Sequence, residues 1–173
     1  MKTTAIVFGG ILLALAVGVG AAQHAPSSAV PASHHACLDE ERQAIEKGEG
    51  FGMALAADRN GYPGPKHILE LKTELALTPE QEKEVQALFY EMHAEALAVG
   101  KKLLDKEAAL ERLFASGAAE AAEVRQRLDE IAALRAALRW VHLSAHLRAR
   151  ELLTPEQRAR YHTLRHAAPA HHH

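Results

Sequence analysis

The chain has 173 residues, with 20 Lys and Arg against 22 Asp and Glu, a net charge of −2 with its 12 histidines neutral. So balanced a charge offers no basic field, and nucleic acid is not expected as a partner. The single cysteine excludes an internal disulfide framework, while few aromatics and abundant Ala, Leu, Glu and Arg point to an all-α protein.

Taken in chain order, Lys2, a glycine-interrupted apolar run from Ala5 to Val19, and Gly20-Ala21-Ala22-Gln23 read as the three parts of a secretory signal. The run falls short of the ~20 apolar residues a permanent span needs. Residues 1–22 are therefore expected to be cleaved, which leaves no stable membrane span and a protein delivered to the periplasm. Residues 23–37 hold Ala, Pro, Ser and His without periodicity and read as a disordered, His-containing arm. The arm ends at Cys37, whose thiol in an oxidising compartment pairs between chains, binds metal or stays free.

The folded domain is expected over residues 38–167, with a flexible tail over 168–173. Residues 38–47 and 50–59 each suit a short helix, separated by Gly48. Asn60-Gly61-Tyr62-Pro63-Gly64-Pro65 forces a turn, and residues 66–76 return to a helical pattern.

A repeated helix start follows. Leu77-Thr78-Pro79-Glu80-Gln81 recurs as Leu153-Thr154-Pro155-Glu156-Gln157. The threonine hydroxyl caps the third backbone N–H, proline is preset for the first helical position, and glutamine reaches back to the cap. Between the two copies there is no proline, and the only glycines are Gly100 and Gly117. Val85, Phe89, Met92, Ala96, Val99, Leu103, Leu110 and Phe114 form one apolar stripe at helical spacing. Val124, Leu128, Ile131, Leu134, Leu138, Val141, Ala145 and Leu152 form a second. Ser116-Gly117 is the expected hinge of an extended long-helix hairpin with short flanking helices, each arm on the order of 50 Å long. So thin a hairpin buries little, and a homodimer is the expected remedy.

The signal, the hairpin and the twin motifs together resemble the Spy/CpxP family, whose signature is an LTxxQ motif used twice. Gly61-Tyr62-Pro63-Gly64-Pro65 ahead of the first motif also looks like the periplasmic heavy-metal sensors of that superfamily. The resemblance covers roughly residues 60–165 and implies a cradle-shaped antiparallel dimer. It implies an ATP-independent chaperone for unfolded proteins, an adaptor acting on the periplasmic domain of a sensor kinase, or a protein that binds zinc, copper, nickel or cobalt. The chaperone and envelope-stress reading is taken first, and the metal-sensor or resistance reading is its alternative.

His142 and His146 stand four apart, a spacing that puts two imidazoles on one helix face within reach of one ion. They also occupy the place just before the second motif where the resemblance implies a metal-binding pair. No cofactor is required by this reading; zinc or copper suits imidazole, with His34, His35 and Cys37 on the arm as further ligands. Arg139 and Arg150 on the same side of the helix oppose a cation. His162 and His166 form a second such pair, the terminal His171-His172-His173 reads as a flexible scavenger or a truncated purification tag, and His67 and His93 read as surface residues.

Charge is segregated: acidic residues dominate the first long helix, and Arg135, Arg139, Arg148 and Arg150 the second. The two arms either pair these charges or leave a basic surface for a client or partner. Trp140, Leu143 and Leu147 lie off the main stripe, and packing against a flanking helix is expected to cover them. With Arg135, Arg139 and Arg150 they are the expected client or partner surface. No phosphate loop, nucleophile context, HExxH or Glu-x-x-His pair occurs in the long helices, so catalysis is not expected.

Overall fold

The LTPEQ segments start helices as their chemistry dictates. Thr78 caps α4 (Pro79–Ala115): its hydroxyl accepts from Gln81 N–H at 3.2 Å, and the Gln81 side chain accepts from Thr78 N–H at 3.1 Å. Thr154 and Gln157 do the same for α6 (Pro155–Ala167), at 3.2 and 2.9 Å. The computed structural model describes residues 32–167, completed by α1 (Ala32–Glu46), α2 (Leu55–Asp58), α3 (Pro65–Glu70) and α5 (Ala121–Glu151). No strand occurs among the described residues. The expected export signal, most of the arm and the tail from residue 168 lie outside them.

Helices α4 and α5 form the hairpin, with α1 and α3 packed on α4 and α2 and α3 on α5. Their 37 and 31 residues make arms of about 55 and 46 Å. The hinge falls at Ser116-Gly117, where Gly117 takes φ 69° and the Ser116 hydroxyl donates to the Leu113 carbonyl.

Two apolar clusters hold the bundle. One, at the open end of the hairpin, joins Ile68, Leu75, Val85, Leu88, Leu153 and Tyr161. The other joins Ile45 of α1 to Ala96, Leu103, Ile131, Leu138 and Val141 along the hairpin. Gly100 permits that second contact: a Cβ there would lie 2.8 Å from Ile45 Cγ2 and 3.1 Å from the Ile45 carbonyl oxygen. A helical glycine costs about 1 kcal/mol against alanine, which the close approach of α1 offsets. The predicted stripes are the buried faces except at the hinge end, where Phe114 and Leu128 are exposed.

The structure moves several boundaries. Helix α1 begins at Ala32, inside the expected arm. Expected helix 50–59 shrinks to the four residues of α2, because turn bonds from Met53 to Gly50 and from Leu55 to Gly52 occupy its first half. Expected helix 66–76 stops at Glu70 and ends in turns, with Ala76 at φ 50°. Charge is paired across the hairpin through Arg148–Glu91, Arg135–Glu107 and Lys106–Glu130, at 2.9, 2.7 and 2.6 Å.

Candidate functional site

Residues 47–64, between α1 and α3, cross the hairpin as a backbone strap, and three histidines beneath it each meet a glycine. A Cβ on Gly48 would lie 3.0 Å from the His93 ring, one on Gly50 3.3 Å from His142 Nδ1, and one on Gly64 2.9 Å from His146 Nε2. Gly48 also takes φ 67°, a conformation glycine adopts without strain. A side chain at any of the three would press on an imidazole, most of all at Gly64.

Under the strap lies a cavity of about 410 Å³ lined by His142, His146, His67, His93, Asp58 and Met92, among others. His142 and His146 project into it from adjacent turns of α5 and are both buried. The Nδ1–H of His146 donates to the Tyr62 carbonyl at 2.7 Å. That bond fixes the tautomer and leaves the lone pair on Nε2, the atom facing Gly64. Metal-ligating histidines are oriented in this way. His142 Nε2 is wholly buried and without a hydrogen-bond partner, alone in this among the side-chain nitrogens and oxygens of the described residues.

Electrostatics keeps both rings neutral. Burial, and then the neighbouring His146, hold His142 below the usual imidazole range. Burial also depresses His146, against the opposing pull of its bond to Tyr62 and of Asp58. A neutral imidazole is the form that ligates a metal. At the cavity edge Asp58 accepts from the Tyr161 hydroxyl at 3.1 Å and from Arg165 at 3.2 Å, with His67 Nδ1 3.6 Å away. His67 first, and then Arg165, hold its carboxyl below the usual carboxylate range.

The twin motifs make a different object. Gln81 Nε2 donates to Gln157 Oε1 at 2.8 Å, and Gln157 Nε2 donates back to Gln81 Oε1 at 2.9 Å. Each amide also donates to a backbone carbonyl, Leu152 for Gln81 and Leu75 for Gln157. Together with the capping bonds, both amides are fully satisfied, and the starts of α4 and α6 are clasped to each other.

A family model for heavy-metal resistance proteins matches residues 50–160. The chain belongs to the heavy-metal resistance family. That family is related to the Spy/CpxP-like all-helical proteins. Among curated proteins and solved structures, none matches the chain. The family match covers the strap from Gly50 on, the cavity histidines and both motifs.

Of the predicted ligands the structure brings together His142 and His146. Cys37 is exposed on α1; of His34 and His35 only the helical backbone is described. Among the described residues no group of three or more His, Cys, Asp or Glu side chains is arranged to hold a metal ion. The pair therefore supplies two donors, with the Met92 thioether nearby on the cavity wall. Neither Arg139 nor Arg150 lines the cavity; Arg150 lies over the Tyr62 ring, 4.7 Å from its centroid. His67 and His93 are not plain surface residues. His93 Nε2–H donates to the Lys47 carbonyl at 2.9 Å, and both rings line the cavity. Their spacing carries no signal in sequence, and neither does Asp58.

On the expected partner surface, Arg135 is held in ion pairs with Glu107 and Glu41, Arg139 is exposed, and Leu143 is half-buried. The expected packing over Trp140 does not occur among the described residues: Trp140 is 60% exposed and Leu147 45%.

Proposed function

We propose that the chain is an exported heavy-metal-binding protein of the periplasm that takes up zinc or copper between His142 and His146, and that it acts by binding rather than by catalysis. One observation carries the reading: a buried imidazole nitrogen with no partner, one helical turn from a second imidazole whose tautomer presents its lone pair. A buried polar atom left unmatched costs about 1–3 kcal/mol, and an ion would relieve that cost. Glycine at positions 50 and 64 leaves open the space a side chain would fill. Two imidazoles form an incomplete set for a tetrahedral ion, so water, Met92 or a group from outside the cavity supplies the rest.

Calorimetric titration of the chain lacking His171 to His173 tests this. Zinc or copper should bind one per chain with Kd below about 1 μM, and His142→Ala/His146→Ala should abolish that binding. Gly64→Ala, whose methyl would meet His146 Nε2, should weaken it. Unchanged affinity in the double variant would remove the reading.

A second reading, client or partner binding of the Spy/CpxP kind, is supported by the exposure of Trp140 and Leu147. Trp140→Ala should then lose suppression of client aggregation without loss of metal. Sedimentation of the same variant tells whether the face instead joins a homodimer.

A further inference from the structure

The turn that grips His146 is itself gripped from its far side. Helix α2 has four residues, too few to persist without tertiary anchors. Its last residue, Asp58, receives the Tyr161 hydroxyl at 3.1 Å and the Arg165 guanidinium at 3.2 Å, both from α6, with His67 of α3 at 3.6 Å. Tyr161 is 1% exposed, so its side of the bond to the partly buried Asp58 is shielded from solvent.

From Asp58 the backbone runs to Tyr62 as one hydrogen-bonded unit. Gly61 N–H donates to the Asp58 carbonyl at 3.3 Å, Asn60 and Tyr62 N–H both donate to the Ala57 carbonyl, and the Asn60 side chain donates to the Ala56 carbonyl at 2.7 Å. Displacing Asp58 therefore displaces the Tyr62 carbonyl, which accepts the Nδ1–H of His146 at 2.7 Å.

We propose that Asp58 is a positioning residue for the histidine site, acting through the Asp58–Tyr62 turn to hold His146 as the Nδ1–H tautomer with Nε2 turned to the cavity. The proposal rests on reading His146 as a ligand and adds what orients it. A ring that loses the Tyr62 carbonyl samples both tautomers, and the Nε2–H form must shed that proton before it can take an ion. The carboxylate acts on the second element out from the ion: α6 holds α2, α2 holds Tyr62, and Tyr62 holds the imidazole. This also gives α6 a part in the site, through Tyr161 and Arg165 on Asp58.

The test is long-range 1H–15N NMR of the histidine-labelled, metal-free chain, paired with zinc titration. The wild type should show His146 as the Nδ1–H tautomer. Asp58→Asn should mix the tautomers and weaken zinc binding on the order of 10–100-fold, as loss of an orienting partner does. Tyr161→Phe keeps the buried ring, should shift both readouts the same way by less, and supplies the answer if Asp58→Asn does not fold. A single Nδ1–H tautomer with unchanged zinc affinity in the folded variants overturns the proposal. A wild type that binds no zinc overturns the metal reading instead, and the tautomer populations still decide the role of Asp58.

Discussion

At the capping junction every polar atom of the Gln81 and Gln157 side chains has a partner, two bonds to each oxygen and two from each nitrogen. In the histidine pair beneath the strap, the buried His142 Nε2 has none, and His146 has a bond at Nδ1 that leaves the Nε2 lone pair on the side of Gly64. Both regions come from repeated residues at helical positions, and both are partly or fully buried. The difference teaches how to tell a structural polar pair from a site: a network that closes on itself stabilises the fold, while one left open retains the capacity to bind.

The sharpest way to break this comparison is at the junction. Gln81→Leu would remove the partner of one N–H of the Gln157 amide, of the Leu152 carbonyl and of the Thr78 N–H, and should destabilise the fold by about 2–3 kcal/mol in urea denaturation. The double variant Gln81→Leu/Gln157→Leu should cost less than the sum of its singles, because the second change removes a group the first had orphaned. A single variant of wild-type stability would mean the clasp is ornamental.

A smaller and opposite effect is expected in the cavity. His142→Leu replaces an unpartnered imidazole by an apolar side chain of similar size, so stability should stay level or rise by about 1 kcal/mol or less. A loss as large as that at Gln81 would show that His142 Nε2 has a partner in solution, and the contrast between the regions would fail.

The smallest effect is in pH dependence. Both cavity histidines are depressed from 6.5 in the fold, so below that value the unfolded chain binds more protons than the folded one. Their contribution is fully present above pH 6.5 and is lost as the pH falls toward and through the folded values. Denaturation midpoints should therefore drop from pH 7 to pH 5, and His142→Leu should flatten that drop. An equal slope in the variant would place the protonation elsewhere.

Much of the frame is legible in the sequence. Thr78 and Thr154 cap because their hydroxyls reach a backbone N–H three residues on, and Gly117 marks the hinge because nothing else interrupts the stripes. The i, i+4 spacing places His142 and His146 on one face for the same local reason. Less legible is α2, whose pattern suits a longer helix but whose glycines favour tight turns. Trp140 misleads too: helical projection finds its face, but nothing local says that no flanking helix covers it.

The sequence by itself determined what depends on neighbours within about one helical turn: the six-helix character, the caps, the hinge and the candidate histidine pair. Tertiary structure alone decided that the two motif glutamines bond to each other, 76 residues apart, and that Gly48, Gly50 and Gly64 lie on imidazoles. It alone brought His67, His93 and Asp58 to the cavity. Periodicity records which face of a helix is apolar, but not which residue of a distant element will stand opposite it. That is set by how the strap and α6 close over the hairpin, where burial leaves some polar atoms matched and, among the described residues, one on His142 without a partner.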